Sequence, residues 1–303
     1  MNNNTPAGTR PIHIGTSVSP SFMPAQLEAI DRYMSYARRL GLTSIEIDFS
    51  IKGHYPQYAP LPYAWEDSPV WEEVRRRVEQ FPMSGAHLPF LGINPLSDDP
   101  EEAKWANFEY HSSIDRAGEL GLRYVIIHST GHRPGTTRET WLPIWVDYMG
   151  EMAEYARRAG LILCLENAAA TFRLDDTAYV IRQVNSPWLR MTFDTGHAQY
   201  ILNWNGERIC AYEAYGSLEN FIRREHDILF TLHIHDNYGE QDDHLVIGDG
   251  KGDFSYLRTL YELGFDGAWN FEHNIDDNWD SVEVAARRLR ALLGLPEVNT
   301  AAS

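Results

Sequence analysis

Short apolar runs and longer segments of helical periodicity alternate along most of the chain. Eight of the runs have the length and the content of β-branched and aromatic residues that are typical of strands. They are Ile12–Val18, Ser44–Phe49, Met83–Phe90, Tyr124–Thr130, Leu161–Asn167, Leu189–Asp194, Leu229–Asp236 and Ala268–His273. The helical segments between them include Pro24–Leu40, Pro69–Gln80, Pro100–Leu120, Thr137–Ala159 and Ser281–Leu293. This alternation predicts parallel strands joined by crossover helices.

Several predicted helices end at a glycine that is followed directly by an apolar residue of the next strand. The steps are Leu40-Gly41-Leu42, Leu120-Gly121-Leu122, Ala159-Gly160-Leu161 and Leu263-Gly264-Phe265. Such a glycine is a helix C-cap that leads into a barrel strand. Eight β/α units predict an α/β protein with a single (β/α)8 TIM barrel, and an open doubly wound sheet is the alternative. We expect residues 1–11 to form a disordered N-terminal tail, 12–295 the catalytic barrel domain and 296–303 a C-terminal tail.

Composition and charge narrow the range of partners. The chain has 303 residues, of which 43% are hydrophobic, so it can bury the core of one large domain. Its net charge of −17 disfavours nucleic acid and anionic membranes, because both are polyanionic. The chain has no signal peptide pattern and no apolar run of membrane-spanning length, so we expect a cytoplasmic protein. The composition is compatible with a homo-oligomer as well as with a monomer.

Six consecutive predicted strands end in histidine or acidic residues. These residues, with those of the loop after the seventh strand, are His87, His128, Glu166, Asp194, His197, His233, His235, Asp236, Asp242, His244 and Glu272. A single histidine or aspartate at a strand end is usually a cap or a hydrogen-bonded loop residue. In a barrel, however, the strand ends meet at one mouth, where so many such groups would repel one another and lose solvation without a cation.

These residue types therefore predict a divalent metal ion. Mixed carboxylate and imidazole ligands suit manganese, zinc, cobalt or iron better than magnesium. We expect Mn²⁺, with Zn²⁺, Co²⁺, Fe²⁺ and Mg²⁺ as alternatives.

The order and spacing of these residues resemble the xylose-isomerase-like barrel superfamily, which includes sugar phosphate isomerases and epimerases, inosose dehydratase and endonuclease IV. The resemblance runs from about His87 to Glu272. Its most specific part, His233–Phe254, looks like the pattern HxHDNxG followed by DxHLxxGxGxxDF in the sugar isomerases and epimerases.

The resemblance implies that one metal ion is bound by a residue from each of four strands. The implied ligands are Glu166, Asp194, His233 and Glu272. In the family, the histidine ligand lies three residues before the acidic residue, which selects His233 over His235. The implied substrate-binding or second-metal residues are His87, His128, His197, His235, Asp242 and His244.

The resemblance also implies an activity, a divalent-metal-dependent sugar or polyol isomerase or epimerase. Glu166 and Glu272 would be the catalytic acid and base, and would move a proton next to a carbonyl through a metal-stabilised enediolate. Aromatic side chains that could cover a sugar face include Phe90, Trp141, Trp204 and Trp269, although core packing is the more common role for each of them. The segment after Glu166 departs from the family, since residues 168–171 lack the second carboxylate that some ketose epimerases have there.

Three other functions are compatible with the same residues. One is a dehydratase or lyase acting on a keto-sugar or inosose. Another is a zinc phosphodiesterase like endonuclease IV, whose nine metal ligands all have a matching residue here. The last is a barrel that binds without catalysis. The acidic net charge favours a neutral sugar over DNA.

Overall fold

The computed structural model describes residues 11–18, 25–49, 68–90, 92–129, 135–168, 173–199, 201–202, 208–275 and 278–297. Most of the two predicted tails, and Trp204, lie outside these residues. Within the described part, no helix is both long enough and apolar enough to cross a membrane.

Eight parallel strands close into a barrel. In chain order the strands are β1 (His13–Val18), β2 (Ser44–Asp48), β3 (Met83–His87), β4 (Tyr124–His128), β5 (Ile162–Glu166), β6 (Leu189–Asp194), β7 (Ile201–Leu202), β8 (Arg208–Ile209), β9 (Leu229–Ile234) and β10 (Ala268–Phe271). The short β7 and β8 form a separate antiparallel pair, and the other eight strands form the barrel. Strand β1 pairs with both β2 and β10, which closes the sheet. The predicted single (β/α)8 TIM barrel is confirmed, and the open sheet is excluded.

Helices connect the strands around the outside. They are α1 (Ala25–Leu40), α2 (Ser68–Val78), α3 (Pro100–Glu119), α4 (Arg138–Arg158), α5 (Leu174–Val184), α6 (Thr195–Gln199), α7 (Leu218–Glu225), α8 (Ser255–Glu262) and α9 (Asp280–Leu293). Helices α5 to α7 cover segments for which the sequence pattern named no helix, and α8 is the helix whose end Leu263-Gly264-Phe265 predicted. The residues around the N-terminus of helix α3 explain where the helix begins. The Asp99 side chain accepts a hydrogen bond from the backbone N–H of Glu101, and Pro100 occupies the first turn.

The predicted apolar runs extend beyond the C-terminal ends of several strands. The run Met83–Phe90 contains a strand that ends at His87, and the run Leu229–Asp236 contains one that ends at Ile234. The residues beyond these ends leave the ladder and form the loops of the barrel mouth. Asp236, for example, makes an isolated antiparallel bridge with Leu245.

Two apolar layers support the barrel. The larger lies between strands and helices, and the smaller contains Met83, Tyr124, Ile126, Cys164 and Ala268. Trp141 and Trp269 are fully buried in the larger layer, so of the two roles considered they have core packing and do not cover a sugar. Both residues supply apolar area to the packing between elements, which is the usual position of such large side chains.

Candidate metal centre

Four side chains from four strand ends converge at the mouth of the barrel. Glu166 ends β5, Asp194 ends β6, His233 lies in β9, and Glu272 follows β10. Each offers one ligand atom, and these atoms all lie within 4.8 Å of one another. The ladder places Asp194 beside His233 in register, so the barrel itself brings the two together. The structure thus groups the four residues that the family resemblance implied as ligands.

The distances suit a shared ion. His233 Nδ1 lies 3.1 Å from Glu272 Oε2, 3.5 Å from Glu166 Oε2 and 3.9 Å from Asp194 Oδ2. Ligands at about 2.1 Å from a tetrahedral ion are roughly 3.4 Å apart, which is close to these separations.

Several of these atoms are buried and lack a hydrogen bond. They include both carboxylate oxygens of Glu166, Nδ1 of His233 and Oε2 of Glu272. A buried charged group without a partner costs several kcal/mol, so such a set is costly by itself. Hard oxygen and borderline nitrogen donors in one cluster fit a divalent ion of the predicted kinds.

Asp194 is held by three neighbours, two of which bind its carboxylate and one its backbone. His235 Nε2 lies 2.9 Å from Oδ2, and the His197 backbone N–H donates to Oδ1, which caps the short helix α6. The Asn167 side chain accepts from the Asp194 N–H and donates to its carbonyl oxygen. His235 is fully buried and its ring stacks on that of His244 at 4.0 Å. Its position agrees with a residue that orients a ligand.

A second cluster adjoins Glu166. Nε2 of His87 lies 2.9 Å from Nε2 of His128, and both nitrogens approach Glu166 Oε2, at 3.4 and 3.2 Å. His87 Nδ1–H donates to the Leu88 carbonyl oxygen, which directs Nε2 into the cluster. The Phe90 ring packs against both imidazoles, with centroids 5.1 and 4.4 Å away. Of the four predicted aromatic residues, Phe90 thus lies at the mouth.

A third cluster lies nearer the solvent. Asp242 Oδ2 is 3.0 Å from His197 Nε2 and 3.1 Å from His244 Nε2. His244 Nδ1–H donates to the carbonyl oxygen of Glu272. The backbone of His244 is left-handed, with φ 49°, which is strained for a residue with a side chain. All ten predicted site residues therefore lie at one mouth, in three adjoining clusters.

The charges in the clusters balance one another. Burial opposes ionisation of Glu166, but the charges of His128 and His233 outweigh it and hold its pKa well below the usual range. Burial likewise acts against Asp194, yet His197 and His235 lower its pKa to about 2. The carboxylates, acting against burial, hold the pKa values of His197 and His233 well above the usual range, so protons and a metal ion compete for these side chains.

Glu46 in β2 is a site residue that the strand-end pattern did not predict. Its side chain is fully buried, and Oε1 lies 2.9 Å from His233 Nε2. Glu46 stands between Ile45 and Ile47, an alternation that is also typical of a strand with one solvent face. In a barrel surrounded by helices, the alternate face points inward. The feature of the sequence that pointed to Glu46 was therefore a charged residue in a strand that has no solvent-exposed face.

Asp236 organises the glycine-rich loop that follows β9. Its carboxylate accepts backbone N–H groups from Gly248, Gly250 and Gly252 at 2.8–3.1 Å. A Cβ on Gly250 would overlap the Asn237 carbonyl oxygen and lie 2.6 Å from Asp236 Oδ1. The close approach of backbone to carboxylate therefore explains a glycine at this position.

We expect Gly250→Ala to destabilise the protein by about 1–3 kcal/mol, because the added methyl group has no space. Gly150→Ala is the matched control, since a Cβ there meets nothing within 4 Å and α4 gains about 0.5–1 kcal/mol. Urea unfolding of both variants measures the difference. A Gly250→Ala protein as stable as the parent would contradict the packing of this loop.

This chain shares sequence with archaeal proteins. The chain is 29% identical over 216 residues to an uncharacterised protein of Methanocaldococcus jannaschii, over 65% of this chain and 67% of that protein. It is 28% identical over 188 residues to a probable endonuclease 4 of Thermoplasma acidophilum, over 57% of this chain and 60% of that protein. The second alignment thus covers less than two thirds of that relative.

Solved structures resemble the whole barrel. A D-tagatose 3-epimerase-like protein superposes with a TM-score of 0.67 at 21% identity, over 92% of this chain and 97% of its own. A Thermus thermophilus protein soaked with zinc chloride gives 0.68 at 22% identity, over 93% and 98%. At these identities the likeness shows the fold alone. Residues 34–293, most of the chain, match the family described as the xylose isomerase-like TIM barrel. The chain therefore belongs to the xylose isomerase-like TIM barrel family.

Proposed function

We propose that the protein is a divalent-metal-dependent isomerase or epimerase of a sugar or polyol. The observation that carries the proposal is the convergence of Glu166, Asp194, His233 and Glu272, whose ligand atoms lie within 4.8 Å of one another. Buried atoms without hydrogen bonds in this set support a bound cation. The D-tagatose 3-epimerase-like structure with the same fold supports the substrate class.

The ion would act as a Lewis acid that makes the C–H bond next to a substrate carbonyl more acidic. Glu166 and Glu272 are the proposed acid and base. In the barrel order, β6 and β9 separate β5 from β10, so the two carboxylates reach a substrate from different sides. The low pKa of Glu166, set by its histidine neighbours against burial, keeps that carboxylate ionised and able to accept a proton. Donation of a solvent-derived proton by Glu272 from the other side would invert the carbon, while Glu166 keeps the proton that it removed.

Neighbouring side chains can orient the substrate. His87 and His197 line the two flanks of Glu166, with ring nitrogens 3.4 Å from its oxygens. Their N–H groups are suited to hold sugar hydroxyls in a single orientation, which contributes to rate by positioning. The net charge of −17 leaves binding of a neutral sugar unopposed.

The test is proton exchange with solvent. With Mn²⁺ added, we expect the protein to incorporate deuterium from heavy water at a carbon next to the carbonyl of one member of a panel of ketoses and keto-polyols. Chelated protein is the control, and exchange should return when Mn²⁺ is restored. NMR of the recovered sugars measures it. Exchange accompanied by loss of a β-hydroxyl would support the dehydratase or lyase alternative, and binding without exchange would support a non-catalytic barrel.

A zinc phosphodiesterase is the second candidate, because two further clusters adjoin the proposed metal site. These contain His87 and His128 beside Glu166, and Asp242 between two histidines. The Thermoplasma relative supports this candidate. Three zinc ions would add about six positive charges, which still leaves the chain acidic. Chelator-sensitive cleavage of a duplex with an abasic site would replace the sugar proposal.

A further inference from the structure

The imidazole of His233 has two different neighbours. Nδ1 faces the three carboxylates of the candidate metal centre and makes no hydrogen bond. Nε2 faces the other way and lies 2.9 Å from Oε1 of Glu46. Glu46 lies on β2, across the barrel interior, and belongs to none of the clusters that could hold a metal in the described part of the chain.

A network of neutral donors fixes Glu46 on its other oxygen. Oε2 accepts from the Tyr124 hydroxyl at 3.1 Å and from the Asn270 amide at 3.2 Å. Asn270 Oδ1 in turn accepts from Ser44 at 2.7 Å. All four side chains are fully buried, so water does not substitute for these bonds. The carboxylate therefore has one defined orientation.

The backbone makes room for this network. Gly85 lies between Glu46 and Tyr124 in the strand register of β2, β3 and β4. A Cβ at Gly85 would overlap the Tyr124 ring. The missing side chain lets the ring cross β3, so that its hydroxyl reaches Glu46. Three strands are thus adapted to hold one carboxylate beneath His233.

We propose that Glu46 is a positioning residue that accepts the Nε2–H of His233 and so presents Nδ1, without a proton, to the metal ion. A carboxylate behind a metal-bound imidazole fixes its tautomer and ring orientation and increases its basicity. The proposal rests on the metal site of the proposed function and not on its substrate. Glu46 touches neither the mouth nor the other ligands, so it acts through His233.

The main alternative is that Glu46 serves only to satisfy hydrogen bonds inside the barrel. In that case a neutral side chain of the same shape would serve the metal equally well. Substitution of any other residue in this hydrogen-bond network would also have the same effect as substitution of Glu46. The two roles therefore predict different metal affinities for the variants. If Glu46 has only a structural role, a folded variant keeps the metal affinity of the parent.

The experiment compares Glu46→Gln with Ser44→Ala in the full-length protein. Glutamine keeps the shape of Glu46, and Ser44→Ala removes a bond of the same network that does not reach His233. We expect Glu46→Gln to weaken Mn²⁺ binding by about 10–100-fold, measured by competition with a chelator, while the metal-free protein still unfolds cooperatively. Ser44→Ala should keep the affinity of the parent. The Co²⁺ absorption spectrum should also shift in Glu46→Gln alone.

A second measurement needs no variant. ¹⁵N NMR of the histidine-labelled parent with Zn²⁺ should show His233 protonated at Nε2 and unprotonated at Nδ1. The opposite tautomer would overturn the proposal, as would unchanged Mn²⁺ affinity in Glu46→Gln or an equal loss in Ser44→Ala. A parent that binds no divalent ion overturns both proposals. If the parent binds Mn²⁺ but exchanges no substrate proton, the proposed function is overturned. The metal affinities of the variants then still decide the role of Glu46.

Discussion

Glu166→Gln is expected to lower turnover by at least about 1,000-fold, because one substitution removes both a ligand charge and a proton acceptor. The amide also removes the negative charge that lies 3.2 Å from His128 Nε2 and 3.5 Å from His233 Nδ1. Initial rates of deuterium exchange and of product formation at saturating Mn²⁺ measure the effect. Glu272→Gln should abolish turnover as well, since the reaction needs a carboxylate on each side of the carbon.

Glu154→Gln is the matched control for this prediction. The same chemical change is made on α4, at a side chain that is 54% exposed and pairs with Arg157. It should leave turnover unchanged, because exposed ion pairs contribute little and this one lies outside the mouth. Near-parental turnover in Glu166→Gln with full metal occupancy would rule out Glu166 as the proton acceptor.

His233→Ala is expected to empty the metal site, whereas His235→Ala should retain the ion with weaker binding. The reason is geometric, since His233 Nδ1 faces Glu166, Asp194 and Glu272 together. His235 Nε2 instead lies 2.9 Å from Asp194 Oδ2 and 3.9 Å from Glu272 Oε2, and it orients Asp194. Loss of a direct ligand removes a coordination bond, and loss of an orienting partner typically costs about 10–100-fold in affinity.

Elemental analysis of protein purified without chelators measures this difference, with the parent prepared in parallel. Both variants must unfold cooperatively, because each substitution leaves a cavity in a buried position. The reverse pattern, a filled site in His233→Ala and an empty one in His235→Ala, would assign the ligand to His235 and not to His233.

The sequence by itself determined the elements and the chemistry of the strand ends. Apolar runs and helical periodicity are local properties, and they located all eight barrel strands. The histidine and acidic residues that follow these runs, such as His87 and Glu166, could be named as site residues because parallel strands in a barrel end at one mouth. The glycine-rich pattern after His233 also indicated the family to which the chain belongs.

Only the tertiary structure decided which side chains face one another. Closure of the barrel depends on the pairing of β1 with β10, and the contact of His233 with Glu46 joins residues 187 positions apart. Alternation along a strand tells which residues share a face, but not whether that face is inside a closed barrel or in solvent. Glu46 was therefore missed. Likewise, the choice between the two nitrogens of His233 depends on distances of a few ångströms across the barrel, which no local pattern specifies.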